Sequence, residues 1–415
     1  MRVLILSRQV PWPRNAGGSQ RIFHFMRALA KRHRVTLLTL AYNPIPPTDV
    51  QELQDASGCE AVLAFDGADC AFRNRSLYWS NGGTAIRKLA TSPFPIFVHD
   101  WWSKTLTSTL ARFVHEKTFD LVIARDPSFA EQARAAGFQR VILDADDLFG
   151  VLLSQQLRDV GWYKRKPLHY IDAAKARAYE RTLPSRFERV VIAKSEDRAH
   201  FAPRLQHKIA VIPNGISIPS AVDTTLEEPN RLLFVGTLSY APNVDAARFL
   251  GLEVMPRLWE RLPEARLDVV GRGPVDPAVL EALRDPRCSV HESPADVGPF
   301  YRAATVVVTP IRRGSGTRIK VLEALAYAKA LVSTTFAPEG LGLAPGKHYF
   351  AADTPAETAQ ACATMLADSG LRQALGATGR AFVKQHFEWD KIEDAIAELA
   401  LPPYVTSVHG APDGR

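Results

Sequence analysis

The run Thr309-Pro310-Ile311-Arg312-Arg313-Gly314-Ser315-Gly316-Thr317-Arg318-Ile319-Lys320-Val321-Leu322-Glu323-Ala324 decides how the chain is read. A strand at 305–309 ends there, a glycine-flanked serine turns the chain, and a helix starts near Thr317 or Arg318. Ile319, Leu322, Leu325 and Ala326 follow i, i+3, i+6, i+7 spacing, which buries one stripe of a helix. Arg318 and Lys320 fall in the first turn, where cations oppose the helix dipole. Two cations at the positive end of a helix point to a bound anion. Loop N–H groups with two charged side chains fit a diphosphate. Glu323, one turn further on, is placed to accept hydrogen bonds from the vicinal hydroxyls of a ribose. An i, i+3 ion pair between Lys320 and Glu323 is the simpler alternative, but it leaves Arg318 and the glycines unexplained.

Working outward, short apolar runs alternate with amphipathic helices over most of the chain. Strands are expected at 3–6, 35–40, 121–124, 141–143 and 190–193, with a helix at 19–31. The pattern restarts with strands at 231–235, 266–270, 305–309 and 330–334. Runs without polar alternation suit parallel sheets covered on both faces. Strand–helix–strand repeated twice over means two doubly wound α/β domains. The expected division is 1–212 for the first domain, 213–229 for a linker and 230–385 for the second. A helix at 386–400 should cross back to the first domain, and 401–415 should be a frayed tail.

With 415 residues the chain is too long for one ordinary core, and two domains fit it. Hydrophobic residues at 46% and charged residues at 23% exclude a disordered chain or a fibre. The four cysteines, Cys59, Cys70, Cys288 and Cys362, have no C-x-x-C spacing, so neither a disulfide framework nor a zinc site is expected. The N-terminal apolar run is too short for a signal peptide, and no run reaches the length of a spanning helix. A cytoplasmic protein is the expectation. The formal charge of +7 suits phosphorylated partners, and its spread-out part suits peripheral contact with an anionic membrane at the inner face. Basic residues are interspersed with acids rather than gathered with aromatics, which argues against nucleic acid.

A second loop, Arg14-Asn15-Ala16-Gly17-Gly18-Ser19-Gln20-Arg21, joins the first strand to the first helix. Gly17 and Gly18 either let the backbone approach a ligand or merely make a tight turn, and Ser19 is a candidate N-cap. After the strand at 121–124, Asp126 is placed to cap a helix before Pro127. Asp144-Ala145-Asp146-Asp147 looks like a metal-binding D-x-D. Its place in the first domain, away from the 309–324 loop, favours ligand contact or capping by Asp144 and Asp147 over a metal. His24, His33, His99 and His115 lack ligand spacing. His99 lies in an aromatic stretch suited to face a ligand or a membrane.

Taken in order, these residues and their flanks resemble the family 4 glycosyltransferases. The resemblance runs through Gly17-Gly18, Val211-Ile212-Pro213-Asn214-Gly215-Ile216, Phe234-Val235-Gly236-Thr237-Leu238 and Pro242-Asn243-Val244-Asp245. It continues through Val269-Val270-Gly271-Arg272-Gly273, the 314–324 run and Phe387-Glu388-Trp389. It implies the GT-B fold, α/β with two Rossmann-like doubly wound domains facing across a cleft. The second domain would bind a UDP- or GDP-sugar and the first a saccharide, lipid-linked or small-molecule acceptor. It also implies transfer with retention of anomeric configuration, with no cofactor or metal.

Residue by residue, Glu323 matches the second glutamate of the family's E-x7-E motif, which contacts the donor ribose. The first falls on Ser315, a departure that shifts sugar recognition to other groups such as the backbone of Gly316 and Thr317. Relatives often place arginine after Gly236 and a lysine soon after. Here Thr237 and Asn243 stand there, so Arg318 and Lys320 look like the replacement pair. The donor set implied is thus Gly17, Gly18, Gly236, Thr237, Arg272, Gly314, Ser315, Gly316, Thr317 and Glu323, with Arg318 and Lys320 in catalysis, Asp126 as acceptor-side base unless it only caps its helix, and His99, Asp144 and Asp147 as acceptor contacts. The stretch 291–297 would frame the base. A non-catalytic sugar-nucleotide sensor and an epimerase on the same fold are the competing readings; a phosphorylase would need a pyridoxal lysine that no feature indicates.

Overall fold

The computed structural model describes residues 1–13, 17–66, 69–70, 89–159, 166–222, 224–314 and 317–401. Two parallel sheets form, as the unalternating apolar runs require. Among the described residues the first has seven strands: β1 Arg2–Ser7, β2 Arg34–Leu40, β3 Ala61–Phe65, β4 Leu121–Ala124, β5 Val141–Asp146, β6 Arg189–Ile192 and β7 Ile209–Val211. Their order is β3-β2-β1-β4-β5-β6-β7. The second has six: β8 Arg231–Val235, β9 Arg266–Gly271, β10 Cys288–Glu292, β11 Val306–Thr309, β12 Ala330–Ser333 and β13 Phe350–Ala351. Their order is β10-β9-β8-β11-β12-β13. β3, β7, β10 and β13 were not among the expected strands.

Both faces of the first sheet are covered. Successive residues of β1 point to opposite sides. Val3 and Ile5 pack with Phe23, Met26 and Leu29 of the helix Gly17–Ala30. Leu4 and Leu6 pack with Leu110, Phe129 and Leu183 on the other side. The helix Gly17–Ala30 starts before Ser19, which lies buried in its first turn and is not the N-cap.

Arg21 of this helix is fully buried, and its Nε and Nη2 donate to Asp144 at 2.8 and 2.7 Å. Nη1 donates to the Ile212 carbonyl at 2.9 Å and to Asn214 Oδ1 at 3.2 Å. Burial opposes the charge on Arg21, yet Asp144 and Asp146 raise its pKa above the ordinary value. The first helix, the end of β5 and the segment entering the second domain are therefore held at one buried point.

The helix Ser369–His386 ends on the second domain, and the chain crosses back as Trp389–Glu398. Ile216 N–H donates to Phe387 O at 2.8 Å at the crossing. A Cβ on Gly215 would lie 2.4 Å from Trp389 Cδ2, so only glycine lets the indole pack there. The Trp389 ring stacks on His24 with centroids 4.0 Å apart. Glu393, buried, takes His24 Nδ1 and Lys31 Nζ at 2.7 Å each, and Arg27 as well. Burial works against the Glu393 carboxylate, but these donors hold it down at about 2. Among the described residues no helix is long and apolar enough to cross a membrane.

Arg21→Met leaves the buried Asp144 carboxylate without its counter-charge and should cost about 3–5 kcal/mol in urea unfolding. The double variant Arg21→Met/Asp144→Leu should recover most of that loss, because the orphaned charge is gone. Because Glu393 is held below the usual carboxylate range, its stabilising effect is complete above the unfolded value of 4.5 and fades as pH falls toward about 2. The stability gap between wild type and Glu393→Gln should therefore narrow on acidification, and a gap that widened would contradict the network.

Candidate functional site

In open α/β sheets ligands sit beyond the carboxyl ends of the strands where the strand order reverses. The second sheet reverses between β8 and β11, the first between β1 and β4. A cavity of about 360 Å3 lies at the β8/β11 point. It is lined by Gly236, Thr237, Arg272, Gly314, Thr317, Arg318, Lys320 and Glu323, with Gly17 reaching in from the first domain. The structure thus brings most of the expected donor residues together. Ser315 and Gly316 lie outside the described residues.

The glycines are dictated by close approach. A Cβ on Gly271 would sit 1.8 Å from the Gly236 carbonyl oxygen, so the β8 and β9 loops touch backbone to backbone. A Cβ on Gly236 would meet the Asn243 amide at 2.7 Å. That amide donates to the Thr237 carbonyl at 2.9 Å and its oxygen accepts from Lys320 Nζ. Lys320 also lies over the Phe234 ring at 5.3 Å. Buried in this way, the ammonium loses water, and its pKa falls to about 8.

The Arg318 guanidinium is almost fully buried, donates to the Gly314 carbonyl at 3.0 Å and lies 4.5 Å from the centre of the Phe336 ring. Burial lowers its pKa as well. Glu323 accepts from the Tyr301 hydroxyl at 3.0 Å, and Tyr301 stacks on Tyr327 at 4.9 Å. Burial raises the Glu323 pKa, with Tyr301 and Lys320 pulling it back. Two cations and one acid lining one cavity form a ready anion site with a fixed hydroxyl acceptor. Asn243 and Tyr301 acquire their contacts only through the fold, since each is far in sequence from the loop it supports.

Other expected residues sit elsewhere. Arg312 pairs bidentately with Asp245 at 3.0 and 3.1 Å and does not line the cavity. Arg313 lines it while its Nη2 donates to Asp245 at 3.2 Å. Gly18 faces the first domain, its carbonyl accepting from Arg125 Nη1 at 3.1 Å. His291 is held by Asp268 at 2.8 Å and by the Phe300 ring, and of the 291–297 stretch Val297 reaches the cavity.

On the first domain the acids part company. Asp126 caps the helix Pro127–Ala136 through Ser128 N–H at 2.8 Å and pairs with Arg8 at 3.1 Å. Capping is therefore its observed contact rather than a base poised on a hydroxyl, although it lines a cavity. Asp144 is buried against Arg21 and lines none of the neighbouring cavities. His99 bonds Ser92 Oγ at 2.6 Å and packs edge-on against Phe94, inside the domain.

Between Asp144 and Asp146 the β5–β6 register shifts, and Asp146 has φ of 52°. The bulge re-aims the chain. Asp146 turns to Arg125 at 2.8 Å and Asn214 at 3.0 Å, while Asp147 turns into a cavity. Asp144 and Asp146 both lie beside Arg21, at 2.7 and 4.0 Å. Among the described residues no His, Cys, Asp or Glu group of three is placed to hold a metal. Burial and the neighbouring Asp146 push Asp147 up to about 7. Asn214 also donates to Thr317 Oγ1 at 3.2 Å, linking this acidic corner to the glycine-rich loop.

No protein of curated function matches the sequence. Solved structures do match across the chain. Sucrose-phosphate synthase of Thermosynechococcus elongatus superposes with a TM-score of 0.66 at 18% identity, covering 96% of this chain and 98% of that one. HepE of Anabaena, solved in complex with UDP and glucose, gives 0.62 at 15%, covering 96% and 99%. A glycosyltransferase of Rickettsia africae ESF-5 gives 0.63 at 11%, covering 96% and 97%. At these identities the likeness speaks for the GT-B fold. Family models speak for more: residues 16–218 match Glycosyltransferase Family 4 and residues 229–368 match Glycosyl transferases group 1. With both domains accounted for and an anion-ready cavity between them, the chain belongs to the group 1, family 4 glycosyltransferases.

Proposed function

We propose that this chain is a retaining, metal-independent hexosyltransferase acting from a UDP- or GDP-sugar on a saccharide, lipid-linked or small-molecule hydroxyl. The observation that carries the reading is the cavity at the β8/β11 reversal, where Lys320, Arg318 and Glu323 converge. HepE, of the same fold, is a structure with UDP bound, which supports a nucleoside diphosphate there.

In this reading Glu323, fixed by Tyr301, accepts the ribose hydroxyls. Arg318, Lys320 and the N-terminus of the helix Ile319–Ala326 take the diphosphate. The bond from the anomeric carbon to the diphosphate oxygen breaks with its electron pair going to that oxygen. The acceptor oxygen attacks the same face, and its proton passes to the departing diphosphate. The protein's share is to stabilise charge that grows on the leaving group, using cations already stripped of water. Lysine and arginine supply the positive charge that a metal supplies elsewhere, and the pairing of Asp144 with Arg21 and of Asp146 with Arg125 fits that division. The formal excess of +7 supports a cytoplasmic protein that touches an anionic inner membrane face.

Calorimetry with UDP- and GDP-sugars tests the donor site, and an absence of binding to the wild type defeats it. Glu323→Ala and Arg318→Ala should each weaken binding by about 1–3 kcal/mol. Binding without transfer or donor hydrolysis on any acceptor would favour a sugar-nucleotide sensor. Since Lys320 is charged only below about 8, nucleotide affinity should fall as pH rises through that value. Lys320→Arg, charged throughout, should flatten the profile. Transfer should also persist in excess chelator, and abolition by chelator would reassign the acids of 144–147 to a metal.

A further inference from the structure

A space of about 210 Å3 lies between the domains, just past the donor cavity. Gly314 and Arg318 line both, so a group attached to a diphosphate held at Arg318 can enter it. The first domain builds the facing wall from the loop after β6, with Lys194, Asp197 and His200. At the rim the two walls touch. Gly340, on the loop after β12, has φ of 79°, and a Cβ there would lie 3.2 Å from Lys194 Cδ. Glycine at this point lets the lysine stem lie against the second domain.

Lys194 is half-buried, and among the described residues its ammonium makes no hydrogen bond and no ion pair. Burial and Arg318 lower its pKa, while Asp147, Asp197 and Glu339 favour the charged form. Asp197, in the turn Glu196–His200, has a long ion pair of 4.0 Å to His200. The charged groups around the space are mixed: Lys194, His200 and Arg318 against Asp147, Asp197 and the exposed acids Glu196 and Glu339. Such walls offer an alcohol both donors and acceptors, and give a charged ligand no strong net pull. An ammonium donates and a carboxylate accepts, so Lys194 and Asp197 together fix the direction of a hydroxyl. A sugar whose hydroxyl points elsewhere leaves a half-buried charge unmatched. Position 315 is serine, so the glycine-rich loop offers no carboxylate there for a sugar.

We propose that the group transferred from the donor is an uncharged hexosyl unit, and that Lys194 and Asp197 select it from the first domain's side of the cleft. This rests on the glycosyl-transfer reading, which puts the diphosphate at Arg318. The donor is then divided between the domains: the second holds the nucleotide and the first reads the sugar. Affinity for the nucleotide alone therefore does not depend on Lys194 or Asp197, whereas choice among sugars does.

Calorimetry on the full chain tests this with UDP, GDP, UDP-glucose, UDP-galactose, UDP-N-acetylglucosamine, GDP-mannose and UDP-glucuronate. One neutral nucleotide sugar should bind better than the other neutral ones and better than UDP-glucuronate. In Lys194→Met and in Asp197→Ala, its affinity relative to its own nucleoside diphosphate should fall about tenfold. Discrimination among the neutral sugars should shrink in step. Lys194→Gln, which can still donate to a hydroxyl, should lose less than Lys194→Met. Affinity for the nucleoside diphosphate itself should stay within about twofold of wild type in all three variants, showing that each is folded.

An equal loss of nucleoside diphosphate binding in Lys194→Met would make the lysine a diphosphate ligand and overturn the proposal. A wild type that favours UDP-glucuronate, or does not distinguish the neutral sugars, would overturn it too. If the wild type binds UDP or GDP and the ratios do not move in either variant, the sugar assignment alone falls. If it binds neither, the donor reading falls and the sugar assignment with it.

Discussion

Arg21 carries its charge inside the first domain with no exposed surface, and the structure is arranged to make that tolerable. A buried guanidinium is costly unless its donors are met and a counter-charge is close. Asp144 supplies the charge, and the Ile212 carbonyl and Asn214 take the remaining arm. These partners come from β5 and from the segment that leaves the first domain. One side chain on the first helix therefore holds the place where the chain passes from one domain to the other. Trp389 and Glu393 seal the same region from outside, with Gly215 making room for the indole.

The chemistry of the cleft follows from that anchoring. Asn214, held by Arg21, reaches both Asp146 and Thr317. Acids of the first domain and the glycine-rich loop of the second are tied through one amide. With Asp144 and Asp146 engaged by arginines, Asp147 lines two cavities with no ion pair among the described residues. On the opposite side of the cleft the cations are desolvated by packing on Phe234 and Phe336. Low dielectric strengthens their pull on a diphosphate. Each half of the cleft thus has a distinct electrical character: Arg318 and Lys320 on the second domain, acids and aromatic rings on the first.

How much of this was legible in the sequence depended on burial. The central strands announce themselves because both faces are covered and every position is apolar. The four strands that went unread, β3, β7, β10 and β13, are the four edges of the two sheets. An edge strand is half exposed, short or mixed in composition, so it lacks a continuous apolar run; Cys288–Glu292 and the two-residue Phe350–Ala351 show this plainly. At the site, Glu323, Arg318 and Lys320 could be found because helix spacing and the glycine loop put their chemistry into one local window. Arg312 and Arg313 shared that window, and nothing local showed that Asp245, far upstream, would pair with both.

The sequence by itself determined the two α/β domains, the family and the donor loop, because strand periodicity, glycine turns and helix-terminal charges all act over a few residues. Tertiary structure alone decided which charged groups remain to do chemistry. Asp126, Asp144 and Asp147 are the same residue type at or just beyond the ends of β4 and β5. One caps a helix and pairs with Arg8, one neutralises Arg21, and one stands open to two cavities. The difference lies in partners many residues away, and in how far burial lets a carboxylate keep its charge.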